Sequence, residues 1–257
     1  MIQPLLIIAL AVFFYMTAVF FVALIKKDNS VVDIAWGPGF VIVALLSFLG
    51  SPGIEARHIL ITVLVIVWAA RLALHIYLRN KGMGEDFRYA EWRRSWGRWF
   101  VLRSFFQVFM LQGVFLLVIS YPIVLVNCSA GRSLGALDIA GTLVWLCGFS
   151  FEAVGDYQLK TFKQKPENRG RIMTMGLWKY TRHPNYFGEA TQWWGIFLSA
   201  LSVPAGWTAI ISPLAITFLL VRVSGIPMLE RKYAGHEEFA EYARRTNAFF
   251  PWFPKKA

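Results

Sequence analysis

Seven predominantly apolar segments follow one another along the chain, at about 3–25, 35–50, 59–78, 104–127, 135–157, 186–203 and 205–226. A helix needs about 20 mostly apolar residues to cross roughly 30 Å of hydrocarbon. Five of the segments reach that length comfortably, and the second and sixth are the shortest. Charged residues make up 16% of the chain and hydrophobic ones 57%, against about 25% and 45–50% in a soluble domain. That departure runs along the whole length, so the sequence predicts an all-α, polytopic integral membrane protein with seven transmembrane helices. The first segment has no basic n-region and no A-x-A site, and its apolar run exceeds a signal-peptide h-region, which reads as a retained transmembrane helix.

Basic residues give the expected orientation. If the segments cross alternately, one face collects Lys26 and Lys27, the cations of 79–103, those of 158–185 and those from Arg222 onward. That is 23 of the 26 Lys and Arg residues. Arg57 and Arg132 remain on the other face, and Arg71 lies within a segment. The rich face is then cytoplasmic, with the N-terminus outside and the C-terminus inside. Connections on the poor face are short ("SPGIEARH", "NCSAGRS", "SVPAG"), whereas 79–103, 158–185 and the stretch from 227 are long. Long loops carry function more often than short ones. No repeat or linker interrupts the chain, which reads as one membrane domain over 1–257.

The net charge of +11 serves topology and contact with anionic lipid. Some of it keeps more specific company. In "DYQLKTFKQKPENRGR", Asp156, Lys160 and Lys163 share one helical face at the end of a segment. A basic face of this kind can take a polyphosphate. Nucleic acid fits poorly, because the cations flank apolar segments instead of forming a tract.

Ionisable groups within apolar segments are costly and mark function by default. Asp33, in "SVVDIAWG", either caps the second helix or serves a site. Arg71 and His75 either bond within the bundle or line a cavity. Glu152 and Asp156 stand one turn apart at the end of the fifth segment, and Asn185 and Glu189 one turn apart at the start of the sixth. Together they outline a polar cavity on the cytoplasmic half. "GPGFVI" and "GMGEDF" lack the third small residue and the strand context of a dinucleotide fingerprint. Cys128 and Cys147 form no metal-type spacing, and His183 has no second histidine at metal spacing, so no metal site is expected.

"GLWKYTRHPNYFGE" (176–189) then resembles the C-terminal signature of the membrane steroid and sterol reductases. The chain resembles a bacterial relative of the steroid 5α-reductase family, closely over about 150–257 and loosely before. Isoprenylcysteine carboxyl and phospholipid methyltransferases share the shorter Arg-His-Pro core and use it with S-adenosylmethionine; they are the alternative. Asn185, Glu189 and the Asp156–Arg171 run favour the reductase.

The resemblance implies an NADPH-dependent reductase of a conjugated enone, such as a 3-oxo-Δ4 steroid. It implies that Asp156, Lys160, Lys163 and Arg171 contact cofactor phosphates and ribose, and that Asn185 and Glu189 hold the nicotinamide amide. Tyr180, Arg182 and His183 complete that side, and Tyr242, Arg244 and Arg245 lie toward the adenine. Tyr89 and Asp33 would act on the ketone, with Asp33 neutral in an apolar setting and "DIAWG" standing where the family has a Gln-Glu pair. Trp36 and Arg71 would line the substrate pocket. A lipophilic substrate enters from the bilayer and the cofactor from the cytoplasm, in a bacterial inner membrane. Glu152 stands where the reductases often carry Asn.

Overall fold

The structure, a computed structural model, describes residues 2–130 and 133–255. Arg132 and Lys256, which enter the charge count, lie outside the described residues. Among the described residues the architecture is all-helical with no strand. Contacts group the chain into two compact units, residues 1–134 with 203–209 and residues 135–202 with 210–257.

The first unit contains α1 (Ile2–Lys26), α2 (Val31–Leu49), α3 (Ala56–Asn80), α4 (Phe87–Trp96), α5 (Phe100–Arg103) and α6 (Leu111–Asn127). A π-helical stretch, Ser104–Met110, joins α5 to α6. Helix α1 shows why this fold needs a lipid solvent. Ile8, Val12, Met16, Val19, Phe20 and Ala23 are buried on one side, while Leu6, Leu10, Phe14, Phe21 and Ile25 are exposed on the other. A surface helix in water keeps its outer stripe polar; one that is apolar all round is buried in protein or membrane.

Inside the unit, small residues let helices touch. A Cβ on Gly37 would fall 2.7 Å from the Ala69 carbonyl oxygen of α3. Asn127 Nδ2 donates to Ser47 Oγ at 2.9 Å and to the Ala44 carbonyl at 3.3 Å, tying α6 to α2. Such bonds satisfy polar groups that hydrocarbon cannot.

The second unit contains α7 (Ala136–Gln164), α8 (Pro184–Ala200), α9 (Ile211–Phe218), α10 (Ile226–Arg231) and α11 (Glu237–Arg245). Helices α7 and α8 run antiparallel along a glycine seam. Gly141, Gly148 and Gly155 recur every seven residues on α7, opposite Gly195, Gly188 and Pro184 of α8. A Cβ on Gly148 would lie 2.6 Å from the Gly188 carbonyl oxygen, and one on Gly195 2.5 Å from that of Gly141. The backbones meet because both sides lack side chains, the small-residue rule of membrane helix pairs. Asp138 caps α7 by accepting from the Gly135 N–H at 2.8 Å.

Among the described residues, six helical stretches are long and apolar enough to cross a membrane: Gln3–Lys26, Val31–Leu49, Ala56–Asn80, Phe87–Asn127, Ala136–Gln164 and Gly206–Arg231. The segment expected at 186–203 forms α8, whose 17 residues fall just short of the length a straight span needs. The fourth expected segment is the end of a helical run that already begins at Phe87.

Candidate functional site

Each unit holds a cluster of polar groups, and the sequence-expected residues divide between them. In the first unit, Asp33 lies in the first turn of α2. It is not a cap: no side-chain cap bond forms at that helix start. Its carboxylate instead accepts from Arg88 Nη2 at 2.6 Å and from the Tyr89 hydroxyl at 2.7 Å. Arg88 Nε also donates to Asp86 at 2.9 Å, so one guanidinium bridges two acids. Asp33 thus sits between Arg88 and Tyr89 rather than in the wholly apolar setting expected from the sequence.

A short loop fixes this arrangement. The Asp86 N–H donates to Ser30 Oγ at 2.7 Å, and the Asn29 N–H to Glu85 Oε1 at 2.8 Å. Arg93 binds both oxygens of Glu85 at 2.8 Å. Burial raises the pKa of Glu85 and Asp86, but the hydrogen bonds and charges of Arg93 and Arg88 outweigh it and hold both below the ordinary carboxylate range. The loop therefore stays ionised and latched to the α1–α2 turn at neutral pH. Trp36 packs edge-on against Phe40, centroids 5.1 Å apart, and Arg71 is half-buried on α3.

In the second unit the glycine seam brings a ladder of acids and carboxamides together. Asn185 Nδ2 donates to Asp156 Oδ1 at 3.2 Å. Gln192 Nε2 donates to Glu152 Oε2 at 2.6 Å. Glu152, Asp156 and Glu189 are all buried. The carboxamide oxygens of Asn185 and Gln192 are buried and accept no hydrogen bond. A buried acceptor without a donor costs about 1–3 kcal/mol, so these atoms mark where a donor belongs. Lys160 and Lys163 are exposed on the last turns of α7, and Arg171 is exposed beyond its end. Among the described residues no group of His, Cys, Asp and Glu could hold a metal ion.

The preceding part of the motif is engaged differently. Arg182 grips Glu230 through Nε at 2.8 Å and Nη2 at 3.1 Å, and its Nη1 donates to the carbonyls of Ala243 and Thr246. His183 Nε2 lies 3.0 Å from Glu230 Oε1, and its ring stacks on Tyr186. Burial lowers the His183 pKa against the pull of Glu230. The Tyr242 hydroxyl donates to the Trp178 carbonyl, and burial raises its pKa. Tyr180 accepts at its carbonyl from the Trp252 N–H at 2.9 Å. Arg244 and Arg245 are exposed, and Arg245 pairs with Glu241 at 2.7 Å. A cleft of about 350 Å³ opens there, lined by Lys179, Tyr242, Arg245 and Thr246 among others.

Three participants were missed from the sequence. Gln192 was findable, because it continues the polar face of Asn185 and Glu189 at helical spacing. Arg88 sat unremarked beside Tyr89. Glu230 carried no local signal, since its partners lie 47 and 48 positions away.

Over residues 19–246 the sequence matches the family described as a protein of unknown function, DUF1295. It is similar to the 3-oxo-5-alpha-steroid 4-dehydrogenase 1 of Bos taurus, 25% identical over 114 residues, 44% of this chain and 41% of that protein. The Rattus norvegicus protein of the same name gives the same identity and coverage. An uncharacterized protein of Schizosaccharomyces pombe is 26% identical over 198 residues, 67% of this chain and 57% of its own length. The chain thus spans less than two thirds of each of these relatives. No solved structure matches. Because the family match runs from within α1 to the residue that follows α11, the chain belongs to the DUF1295 family, and part of it is similar to the 3-oxo-5-alpha-steroid 4-dehydrogenases.

Proposed function

We propose that this protein is a membrane-embedded, NADPH-dependent reductase of the carbon–carbon double bond in a 3-oxo-Δ4 steroid or a similar lipophilic enone. The observation that carries the reading is the buried, unmatched Oδ1 of Asn185, held beside Asp156 and one turn from Glu189. A nicotinamide carboxamide offers two N–H donors and one acceptor oxygen, and this acceptor-rich face fits its N–H groups. Relationship to proteins named as 3-oxo-5-alpha-steroid 4-dehydrogenases supports the same reading.

Asn185 and Glu189 would hold the carboxamide. Lys160, Lys163 and Arg171, exposed on the same unit, suit phosphates as multiple cationic donors. The cleft beside Tyr242 and Arg245 is assigned to the adenosine end. When bound, the reduced nicotinamide supplies a hydride. The residues must then manage the charge that grows on the carbonyl oxygen. Tyr89 is the donor proposed for it, turning its hydroxyl from Asp33 to that oxygen. Arg88 keeps the released Asp33 carboxylate neutralised, which makes the turn less costly. Arg182 and His183 position the helix start rather than touch cofactor, since both are engaged by Glu230.

Purified protein in lipid nanodiscs tests this. NADPH raises the melting temperature, and at 100 Kd the stabilisation is about 2.7 kcal/mol. Adding a 3-oxo-Δ4 steroid consumes the NADPH absorbance. Stabilisation by S-adenosylmethionine alone would overturn the reading in favour of the methyltransferases that share the Arg-His-Pro core.

A further inference from the structure

The segment that follows α11 holds three aromatic side chains outward while its backbone is fixed. Phe250, Trp252 and Phe253 are 70%, 69% and 74% exposed. The same stretch is bonded at every turn. The Arg182 N–H donates to the Asn247 carbonyl at 2.9 Å, and Thr181 Oγ1 to those of Ala248 and Phe249 at 3.2 and 2.8 Å. The Trp252 N–H donates to Tyr180, and the Lys255 N–H to Arg245, both at 2.9 Å. These rings are therefore presented by a constrained backbone, and a fixed, exposed aromatic patch marks a contact surface.

We infer that Phe250, Trp252 and Phe253 seat in the headgroup region of an anionic bilayer and anchor the Tyr180–His183 loop to it. Two observations set the depth and the sign. Phe187, in the first turn of α8, contacts the rings of Phe249 and Phe250 with centroids 5.8 and 6.2 Å apart. The segment thus lies level with the start of an apolar helix, where aromatic belts sit. Lys179, Arg244 and Lys255 are exposed around it, and cations beside interfacial aromatics favour anionic lipid. The inference is independent of the activity proposed above.

Trp252 is its own reporter. The protein and its Trp252→Phe variant are placed in nanodiscs of phosphatidylglycerol and phosphatidylcholine, and the difference in emission isolates Trp252. Equal melting temperatures show that the variant is folded. Should it fall apart, Phe253→Trp in the wild-type background supplies a second reporter. Lipids brominated near the headgroup abolish the Trp252 emission, whereas lipids brominated at the chain end and aqueous iodide leave it. In pure phosphatidylcholine the quenching weakens. Quenching by iodide without quenching by lipid overturns the inference by placing the residue in water. Shielding from both overturns it by placing a protein surface there. Equal quenching in both lipid compositions overturns the role of the cations.

Discussion

Pro184 divides one motif into two regions that use their polar groups in opposite ways. Before it, Tyr180, Thr181, Arg182 and His183 bind the chain's own backbone and Glu230. After it, Asn185 and Gln192 each meet an acid through the amide nitrogen and leave the oxygen unmatched. The first region is closed: its guanidinium reaches a carboxylate and two carbonyls. The second is open, and openness in a buried place is where a ligand can gain hydrogen bonds that folding has not already made. The conspicuous Arg-His-Pro core is bonded within the chain. Under the proposed function, the carboxamides behind it carry the recognition chemistry.

The harshest way to break the comparison is to separate the helices that carry the open region. Gly148→Leu puts a branched side chain where a Cβ alone already meets Gly188 O at 2.6 Å and Gln192 N at 2.7 Å. Backbone cannot yield as a side-chain tip does, so the cost exceeds about 3 kcal/mol. Size-exclusion yield should collapse. A well-folded variant with normal nucleotide response would show that the seam does not hold the site.

Next comes the closed region. Arg182→Ala leaves Glu230 without its bidentate partner. Fully buried pairs lose about 3–5 kcal/mol when one member is removed, and the part-exposure of Glu230 reduces this to about 2 kcal/mol. Thermal melting measures it. Arg182→Ala combined with Glu230→Ala should cost less than the two losses added. The NADPH-induced rise in melting temperature should survive in the single variant. Its complete loss would mean that Arg182 contacts the cofactor.

Asn185→Ala addresses the open region and inverts that pattern. It removes an orphaned acceptor and one donor, so stability should change by less than about 1 kcal/mol while NADPH binding weakens about tenfold. Calorimetric titration of the nucleotide reads the second effect. A variant that melts early yet binds normally would move Asn185 to the closed side of Pro184.

How much of this was legible beforehand follows from where the information sits. The spans were readable because hydropathy is local, and six of the seven expected segments correspond to long apolar helices among the described residues. The sixth segment was drawn to 203 because Leu201 and Val203 continue its apolar run, while α8 stops at Ala200. Asn185 and Glu189 were readable from their spacing and their improbable setting. The seven-residue glycine repeat on α7 was visible in the sequence yet meaningless without its partners on α8. Glu230 was out of reach, because a contact across 47 residues leaves no trace in any window.

The smallest effect concerns pH and again separates the two sides of Pro184. Burial holds the His183 pKa below its ordinary 6.5, outweighing the hydrogen bond and charge of Glu230. Arg182, on the same carboxylate, opposes a second positive charge. Below pH 6.5 the unfolded chain therefore takes up a proton that the native ring resists. Where the unfolded state binds more protons, stability rises with pH, so this contribution is complete above about pH 6.5 and is lost as pH falls from there toward the folded pKa. Glu85 and Asp86, both held below their ordinary 4.5 and 3.8, lose their contribution only in stronger acid, which keeps the two windows apart. His183→Gln removes the titrating ring and should flatten the melting temperature between pH 6.5 and mild acid, leaving the steeper acid limb in place. If the variant keeps the wild-type slope in the upper window, His183 is not the group being protonated, and the closed region is less sealed than its hydrogen bonds indicate.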